Sequence, residues 1–379
     1  MAAISNALVI GGGVGGLTAA IALRQQRIAV DLIEIKPDLG VYGVGIIQPN
    51  NTLRALDKIG LASKCVRLGA AFPGWRIHDA AGNFLMAAPA TDGAAPGMPP
   101  INGITRPLLQ SILTEGAHQA GAEIHVGTSV TALDDRCDHV HIRFSDDREA
   151  DYDFVIGCDG VYSETRRLLF GEIAQPRYSG QCVWRYNLTR PPRVEWGELY
   201  FGRNSKVGLV PLAADLMYMF LVTAEQESSR YPREDLAIMM RDRLKSYSGF
   251  IATLASQISD SGAVVLKPLE NVLLPAPWMK GRTIIIGDAA HASTPHLAQG
   301  AAMAIEDAVL LGELLGRDVP VEVALDEFMR RRFDRTRYVV ESSQQILTWE
   351  LEQWKGVDNP NARPGELLHE ATLAMMQPY

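Results

Sequence analysis

One stretch near the start of the chain, residues 8–20, constrains the fold more than any other. It begins as a short apolar run and becomes a helix of small residues across a turn of glycines. Gly11, Gly13 and Gly16 fit the pattern G-x-G-x-x-G. In that pattern the glycines allow a tight turn, a close approach of the backbone to a pyrophosphate, and close packing of the helix on the strand. The stretch therefore predicts a dinucleotide-binding strand, turn and helix.

The helix after this turn and the strand that follows it complete the same unit. Val14 and Gly15 open the helix, whose free N–H groups and positive dipole end would face the phosphates. A second apolar run ends at Glu34, 18 positions after Gly16. This is close to the spacing of about 20 at which a carboxylate accepts from a ribose 2′-OH. The alternative, an ordinary glycine-rich turn, accounts for neither the strand nor its acidic end, so we predict a Rossmann-like α/β domain.

Composition argues against several classes of protein. Of the 379 residues, 47% are hydrophobic and 21% are charged, and the net charge is −8, so we expect neither a nucleic-acid nor a membrane partner. No apolar run reaches membrane-spanning length, and no basic region precedes the first apolar run, so we expect no signal peptide. Cys65, Cys137, Cys158 and Cys182 show no paired spacing. They predict reduced thiols in a cytoplasm, with neither disulfides nor a metal site.

The character of the sequence changes near Tyr178 and changes back near residue 271. Aromatic and apolar runs with turn residues between them predict an antiparallel sheet there. The charged run at residues 330–332 is interpreted as a solvated helix face. The predicted division has nucleotide-binding segments at 1–72, 105–177 and 271–345, a hairpin and loop of a second domain at 73–104, its antiparallel sheet at 178–270, and a C-terminal helical tail at 346–379.

Three separated motifs together resemble the single-component flavin-dependent aromatic hydroxylases, the family of p-hydroxybenzoate hydroxylase. The first motif is the glycine turn with Glu34. The second, residues 158–163 with Arg166, is similar to the family's Asp-Gly motif. The third, residues 287–291 with Pro295 and residues 299–308, is similar to its Gly-Asp motif and flavin-facing helix. The resemblance spans about residues 7–329 in the family's order.

The resemblance implies that FAD is the cofactor. Asp288, at the end of a buried strand, would accept from a ribitol hydroxyl, and the N-terminus of the next helix would face the flavin N1/O2 side, where negative charge accumulates on reduction. Pro295 has a fixed φ and no N–H, so it would shape the dry pocket beside the flavin ring. The implied FAD contacts are Gly11, Gly13, Val14, Gly15, Gly16, Glu34, Ile35, Lys36, Gly45, Ile46, Arg106, Gln110, Asp159, Gly160, Asp288, Pro295, Gln299, Gly300 and Ala301.

The chain also departs from the family pattern. Many relatives carry Asn where this chain has Ala302, so one side-chain contact to the flavin is missing while the backbone contacts remain. Ile35 and Lys36 stand where relatives often have Arg after the acidic residue, which leaves the adenosine contact open. His291 is interpreted as structural. No second G-x-G-x-x-G is present, as expected in a family that binds NAD(P)H transiently.

The reaction that the resemblance implies is hydroxylation of an activated aromatic ring, such as a phenolic acid or a hydroxylated N-heterocycle. NAD(P)H would reduce FAD, O2 would form a hydroperoxide at flavin C4a, and the terminal oxygen would pass to the ring. The protein would position the ring and exclude water. His296, next to Pro295, is the candidate base for a phenolic proton, and Gln299 is the candidate for orienting a substrate hydroxyl. A hydrogen-bonded histidine that faces away from the flavin is an equally open alternative.

Side chains of the predicted sheet would wall the ring and hold an acidic group. Arg185 or Lys206 could bind a carboxylate. The strand register decides which side chains face the ring, because a shift of one residue turns each of them to the opposite face. The aromatic candidates are Tyr186, Phe201, Tyr218 and Phe220.

Two other functions stay open at this point. The same FAD motifs would serve an oxidoreductase without oxygen transfer, such as a saturase, or a flavin-retaining protein that binds a ligand without turnover. A product that gains one oxygen atom would distinguish the hydroxylase from the first, and ligand-stimulated flavin reduction would distinguish it from the second. We expect a monomer or a homodimer.

Overall fold

The computed structural model describes residues 4–41, 43–90, 95, 97–226 and 231–379. The strands are β1 (Asn6–Ile10), β2 (Ala29–Glu34), β3 (Gly45–Pro49), β4 (Ala70–Phe72), β5 (Gly74–Asp79), β6 (Phe84–Pro89), β7 (Ile101–Thr105), β8 (Glu123–Val126), β9 (Val130–Asp135), β10 (Val140–Phe144), β11 (Glu149–Tyr152), β12 (Phe154–Gly157), β13 (Arg177–Thr189), β14 (Gly197–Phe201), β15 (Ser205–Pro211), β16 (Leu216–Ala224), β17 (Val265–Asn271), β18 (Met279–Lys280) and β19 (Thr283–Ile285). The helices are α1 (Val14–Gln25), α2 (Asn50–Lys58), α3 (Ala62–Leu68), α4 (Arg106–Gln119), α5 (Glu164–Phe170), α6 (Leu236–Leu244), α7 (Gly249–Ala255), α8 (Asp288–His291), α9 (Gly300–Leu315), α10 (Val321–Trp354) and α11 (Pro364–Met376).

A mostly parallel sheet organises the nucleotide-binding half, with strand order β18-β19-β12-β1-β2-β8. β1 lies between β12 and β2 and runs parallel to both, while the short edge strand β18 runs antiparallel to β19. The strands β1, β12 and β19 are apolar runs and almost fully buried, as expected for parallel strands covered on both faces. The predicted Rossmann-like α/β fold is confirmed.

Small residues allow α1 to pack closely on α9. A Cβ added to Gly15 would lie 3.4 Å from the Cβ of Ala304, and one added to Gly312 would lie 2.7 Å from the Cβ of Ala22. Larger side chains at these positions would force the helices apart, because protein interiors are already close-packed. The contact explains the run of small residues in α1, and it joins the glycine turn to the third motif.

A seven-stranded sheet forms the other half, with strand order β17-β13-β16-β15-β14-β5-β6. Its neighbouring strands are antiparallel apart from β5 and β14, which run parallel. The predicted antiparallel sheet and the hairpin of β5 and β6 are confirmed. One face of the sheet packs on α6 and α7 in a core that includes Trp184 and Leu209. The opposite face meets the small sheet β3-β7-β4, where Tyr218 packs in a cluster with Ile47 and Ile101.

The C-terminal part is helical, as predicted, and α10 is a single helix of 34 residues. Arg330 is exposed, but Arg332 is fully buried. The interpretation of residues 330–332 as a solvated face is therefore wrong for Arg332. The side chain of Arg332 lies four positions after Phe328 and four before Thr336, on the buried stripe of the helix.

The division of the chain into six segments stays a prediction, and residues 1–3, 42, 91–94, 96 and 227–230 of those segments lie outside the described residues. Among the described helices, none combines the length and apolar character that crossing a membrane requires.

Candidate active site

The glycine turn after β1 is shaped by two close approaches and one open position. Gly11 has a φ of +110°, and a Cβ there would lie 2.5 Å from the carbonyl oxygen of Cys158. A Cβ on Gly16 would lie 1.9 Å from the carbonyl oxygen of Gly11. Among the described residues, nothing lies within 4 Å of a Cβ built on Gly13. The first and third glycines therefore permit internal packing, while the second leaves open the space that a pyrophosphate would need.

Two polar side chains hold this turn in place. Glu34 Oε2 accepts from the Gly12 N–H at 2.8 Å, and its Oε1 accepts from the Lys36 N–H at 3.1 Å. Gln110 Nε2 donates to the Gly12 carbonyl at 2.6 Å, and Gln110 Oε1 is buried without a partner among the described residues. Beside Gln110, a cavity of about 580 Å³ opens between residues 39–41 and α4. Ile35 is 70% exposed. The contacts of these residues with FAD stay predictions.

The second motif forms a cap for α5 and ties to the third motif. Asp159 accepts from Ser163 Oγ at 2.5 Å and from the Thr165 N–H at 2.8 Å. Gly160, in the same turn, has a φ of +81°. Arg166 donates to the Ala289 carbonyl at 2.7 Å. The Asp159 carboxylate is thus engaged by residues at the start of α5, and the FAD contact that the resemblance implies for it stays a prediction.

Asp288 lies at the N-terminal end of α8, and we call the region between it, Ser293 and the start of α9 the recess. Its side chain can be reached by solvent, but it is surrounded by enough protein that desolvation raises the pKa of its carboxyl. The charges of His291 and Arg106 partly offset this rise. A Cβ on Gly300 would lie 4.0 Å from Asp288 Oδ1 and 3.5 Å from Ser293 Oγ. Ser293 Oγ is buried without a partner among the described residues. An acceptor and an unpartnered hydroxyl therefore lie together where the ribitol chain of FAD is predicted.

The N-terminus of α9 has free donors at the same recess. The first α9 hydrogen bond to a carbonyl before the helix runs from the Met303 N–H to the Gln299 carbonyl at 2.9 Å. The N–H groups of Gly300, Ala301 and Ala302 have no acceptor among the described residues. Unpaired N–H groups and the positive dipole end favour an anionic or strongly accepting ligand. Together with the open side of Gly13, these features fit FAD.

Buried ionic contacts join α9 to α8 and α10. Asp307 Oδ2 contacts His291 Nε2 at 2.6 Å and accepts from the Gly287 N–H at 3.0 Å, and Arg332 donates to Asp307 Oδ1 at 2.7 Å. Arg332 also donates to Glu306 Oε2 at 2.6 Å. His291 is therefore structural, as predicted, through a carboxylate partner. We call these residues, His291, Glu306, Asp307 and Arg332, the ionic cluster beneath α9.

The structure corrects the prediction that His296 is the catalytic base. Its Nδ1 lies 3.0 Å from Thr294 Oγ1, its Nε2 lies 3.0 Å from Glu350 Oε2, and its side chain is 1% exposed. Burial and the nearby Lys206 lower the pKa of His296 to about 4, against the raising effect of Glu350. Both ring nitrogens are engaged, so neither is free to take a substrate proton. Pro295, next to it, is exposed, and its place beside the flavin stays a prediction.

The structure also turns Gln299 away from its predicted substrate role. Asn51 Nδ2 donates to Gln299 Oε1 at 3.0 Å, and Gln299 Nε2 donates to Asn51 Oδ1 at 3.3 Å. Asn51 Nδ2 also donates to Glu306 Oε1 at 3.0 Å. Both ends of the Gln299 amide bind α2, so its side chain does not orient a substrate hydroxyl. Its backbone starts α9.

On the seven-stranded sheet, the strand register places Arg185, Tyr218 and Phe220 of the predicted substrate residues on one face. Phe220 pairs directly with Arg185, and Tyr218 lies two positions away on the same face. The Phe220 ring lies over Gly208, where a Cβ would be 2.0 Å from it. The Tyr218 ring lies against Gly45, where a Cβ would be 2.3 Å away. Ile46 is half-buried beside the main core. The sheet therefore meets β3 at its Tyr218 end.

Arg106 is close enough to Arg185, Tyr218 and Asp288 for its charge to act on all three. Burial lowers the pKa of Arg185 to about 10, and the charge on Arg106 contributes in the same direction. Burial raises the pKa of the Tyr218 phenol, against the influence of both arginines. Arg106 also acts on Asp288, so its guanidinium lies near both halves of the site. The side chains of Arg185 and Arg106 have no hydrogen-bond or ion-pair partner among the described residues.

Three other predicted substrate residues are placed differently. Tyr186 packs in the core against α6 and α7, on the opposite face from Arg185, so its predicted role is wrong. Lys206 shares the Arg185 face but is ion-paired with Glu350, so it is not free to bind a substrate carboxylate. Phe201 pairs with Lys206 at the end of β14 and is 44% exposed, which gives it no place in a closed wall.

The sequence did not predict two residues that support the site, Glu350 and Asn51. Glu350 lies in the segment predicted as a helical tail, and nothing in its local sequence indicates a contact with the sheet. Asn51 is the second residue of α2, where an Asn is ordinarily a helix-start residue. Arg332 did carry a signal, because its spacing from Phe328 and Thr336 places it on the apolar stripe of α10.

Known proteins match the chain along nearly its whole length. The profile of a family described as FAD binding domain matches residues 5–343. The 2-heptyl-3-hydroxy-4(1H)-quinolone synthase of Pseudomonas aeruginosa is 31% identical and covers 92% of this chain and 90% of its own. The 3-hydroxybenzoate 6-hydroxylase of Polaromonas naphthalenivorans is 31% identical and covers 89% of this chain and 86% of its own. The matches include all three motifs and the seven-stranded sheet.

A solved structure shows the same fold. The crystal structure of Klebsiella pneumoniae HpxO complexed with FAD and uric acid has a TM-score of 0.84 to this chain. It covers 98% of this chain and 96% of its own, at 22% sequence identity.

Proposed function

Because the chain belongs to the FAD binding domain family of monooxygenases and aromatic hydroxylases, we propose that it hydroxylates an aromatic ring carrying one acidic group, which Arg185 binds. FAD is its cofactor, and the resemblance drawn from the three motifs is confirmed. The observation that carries the substrate proposal is the Arg185 guanidinium, a largely enclosed cation with no acidic partner among the described residues.

An enclosed, unpaired cation is costly to hold, and an anionic ligand offsets that cost. Even with its pKa lowered to about 10, Arg185 is protonated at neutral pH. Lys206, the other cation predicted for this role, is neutralised by Glu350. A phenolate, enolate or carboxylate on the ring is the group that fits beside Arg185, because guanidinium donates charge-assisted hydrogen bonds to such oxygens, and two parallel ones to a carboxylate.

Tyr218 and Phe220 complete the side of the recess formed by the sheet. Burial raises the pKa of Tyr218, so its phenol stays protonated and can donate to a ring oxygen. With His296 engaged elsewhere, the Tyr218 hydroxyl, on the same face of the sheet as Arg185, would hold or relay a substrate proton. Phe220 offers an apolar surface beside Arg185. The expected ligand is therefore a flat ring with a polar edge toward Arg185 and Tyr218.

The chain's own groups would hold FAD across the recess. Asp288 and Ser293 would meet the ribitol chain, the free N–H groups at the start of α9 would meet the flavin, and Arg106 would meet an anionic part. FAD, reduced by NAD(P)H, supplies one oxygen atom of O2 to the ring. The protein's part is to orient the ring and exclude water.

A panel of three aromatic probes tests the function: 3-hydroxybenzoate, urate and 2-heptyl-4(1H)-quinolone. At least one acidic ring should stimulate NAD(P)H oxidation and give a product heavier by one oxygen atom. Substrate-dependent oxidation of NAD(P)H without oxygen in the product would favour the oxidoreductase alternative. No stimulation of flavin reduction by these rings or by a wider set of phenolic acids would favour the binding-protein alternative.

Asp288→Ala should weaken retention of FAD, because it removes a charge-assisted hydrogen bond of roughly 1.5–3 kcal/mol. Dissociation constants from flavin fluorescence quenching measure the effect. Asp318→Ala is the matched control, because Asp318 is exposed beyond the other end of α9. Equal FAD affinity in the two variants would remove Asp288 from the site.

We also propose that the protein acts in the cytoplasm as a monomer or homodimer. The support for the compartment is that Cys65, Cys137, Cys158 and Cys182 are all free thiols.

A further inference from the structure

Glu350, near the end of α10, binds three side chains that come from three separate parts of the fold. Its Oε1 accepts from Lys206 Nζ of β15. Its Oε2 lies 3.0 Å from His296 Nε2 and accepts from Gln181 Nε2 of β13 at 3.2 Å. One carboxylate thus joins two strands of the seven-stranded sheet to the turn that contains Pro295.

The arrangement is buried, and its charges balance. The side chains of Lys206 and Glu350 are 13% and 12% exposed, and that of His296 is 1% exposed. Burial alone would raise the pKa of Glu350, but Lys206 and His296 lower it to about 2. Glu350 is therefore ionised and His296 neutral at neutral pH. An ionised acceptor at Nε2 fixes the proton of His296 there, so Nδ1 accepts from the Thr294 hydroxyl.

The position of these contacts gives them a consequence for the site. His296 directly follows Pro295 and lies three residues before Gln299, which starts α9. Lys206 lies on the sheet face that carries Arg185 and Phe220. Under the proposed function, the Glu350 carboxylate therefore joins the two walls between which the ring and the flavin would meet.

We propose that Glu350 is a positioning residue for hydroxylation: it sets the spacing between the Arg185 face of the sheet and the Pro295 turn, and it keeps the Lys206 ammonium bound away from the ring. It touches neither substrate nor flavin. Oxygen transfer depends on this spacing, since a misplacement of about 1 Å can cost roughly a hundredfold in rate.

The ends of α10 serve different purposes under this proposal. Arg332, in its first half, belongs to the ionic cluster beneath α9. Glu350, in its last turns, reaches the sheet, and Trp354 packs with Val183 and Val222 there. A helix that contacts α9 at one end and the sheet at the other holds the two halves at a fixed separation.

The test compares Glu350→Ala and Glu350→Gln with Glu341→Gln, an exposed glutamate on the same helix. The FAD-loaded proteins are examined by visible circular dichroism, which reports the asymmetric surroundings of the flavin, and by thermal unfolding. Nitrogen NMR of the apoproteins reports the tautomer of His296, with its signal assigned by its absence in His296→Asn. The double variant Lys206→Met with Glu350→Gln removes both charges of the ion pair and keeps an amide beside His296. It is included as a rescue of the single variant Glu350→Gln.

We expect Glu350→Ala to change the flavin dichroism and to release His296 into a mixture of tautomers. Glu350→Gln should show an intermediate change, the double variant should return toward wild type, and Glu341→Gln should match wild type. A Glu350→Ala protein with lowered melting temperature but wild-type dichroism would limit Glu350 to stability and overturn the proposal. Wild-type His296 signals in that variant would overturn it as well.

The outcome is independent of the substrate proposal, because no aromatic ligand is added in these measurements. A separate titration with benzoate, followed by the flavin difference spectrum, examines the acidic-group proposal for Arg185. Failure of benzoate and related acids to bind would contradict that proposal and leave the result for Glu350 unaffected.

Discussion

Replacing Arg185 with methionine should lower affinity for an acidic aromatic ligand roughly ten- to a hundredfold, because charge-assisted hydrogen bonds are worth about 1.5–3 kcal/mol. Methionine keeps much of the apolar volume and removes the charge. FAD affinity should change little, because the groups predicted to hold FAD lie on the nucleotide-binding half. The flavin difference spectrum on titration with 3-hydroxybenzoate or benzoate measures ligand affinity, and fluorescence quenching measures FAD affinity.

The matched control for this variant is Arg203→Met, since Arg203 is exposed in the turn between β14 and β15 of the same sheet. It should bind the acids as wild type does. A ring without an acidic group supplies a second comparison. It should bind wild type and Arg185→Met with similar affinity. Equal loss for neutral and acidic rings would mean that Arg185 shapes the recess without binding an anion.

Arg332→Met should destabilise the fold by about 3–5 kcal/mol, the cost of removing one partner from a buried ion pair. Arg332 is fully buried and donates to both Asp307 and Glu306. Without it, the carboxylates of Asp307 and Glu306 lose the cation that they share. His291 still contacts Asp307 and Arg335 still binds Glu306, but these contacts replace only part of the lost interaction. Urea unfolding followed by far-ultraviolet circular dichroism measures the loss.

Arg330→Met provides the control, since it makes the same chemical change two residues away on an exposed position. It should alter the free energy of unfolding by less than about 0.5 kcal/mol. Similar effects of the two substitutions would show that the ionic cluster contributes little.

The ionic cluster also predicts how stability depends on pH. Burial alone would raise the pKa of Asp307, but His291 and Arg332 outweigh it and lower the pKa from 3.8 to about 2. A carboxyl with a lower pKa in the folded state stabilises the fold above its unfolded pKa, and this contribution is lost as the pH falls toward 2. In Arg332→Met the pKa of Asp307 should lie nearer its unfolded value of 3.8, so this contribution is smaller and the urea midpoint should fall less than that of wild type as the pH drops from 3.8 toward 2.

The cofactor half was determined by the amino-acid sequence because its signals are local. The glycine spacing, the acidic end of β2 and the apolar runs of β1, β12 and β19 each depend on residues close together in the chain. A turn that needs a φ of +110° at Gly11 selects glycine whatever the rest of the fold does. The order of the three motifs then predicted the family, and with it FAD and the monooxygenase class.

The half formed by the seven-stranded sheet was decided by tertiary structure, because its contacts join distant parts of the chain. Alternation along β13 predicts two faces, but only packing against α6 and α7 shows that Tyr186 lies in that core while Arg185 faces the recess. Lys206 and Glu350 are 144 positions apart. No local pattern indicates that such residues meet.

His296 and Arg332 show the same physical reason most directly. From local sequence alone, the histidine after Pro295 was interpreted as a base, and the arginine in a charged run as a solvated cation. Burial reverses both, because a charge removed from water must be neutralised or paired. Glu350 and the ionic cluster supply those partners. The motifs thus determined which cofactor the chain binds, and the long-range partners decided which side chains are left free to meet a substrate.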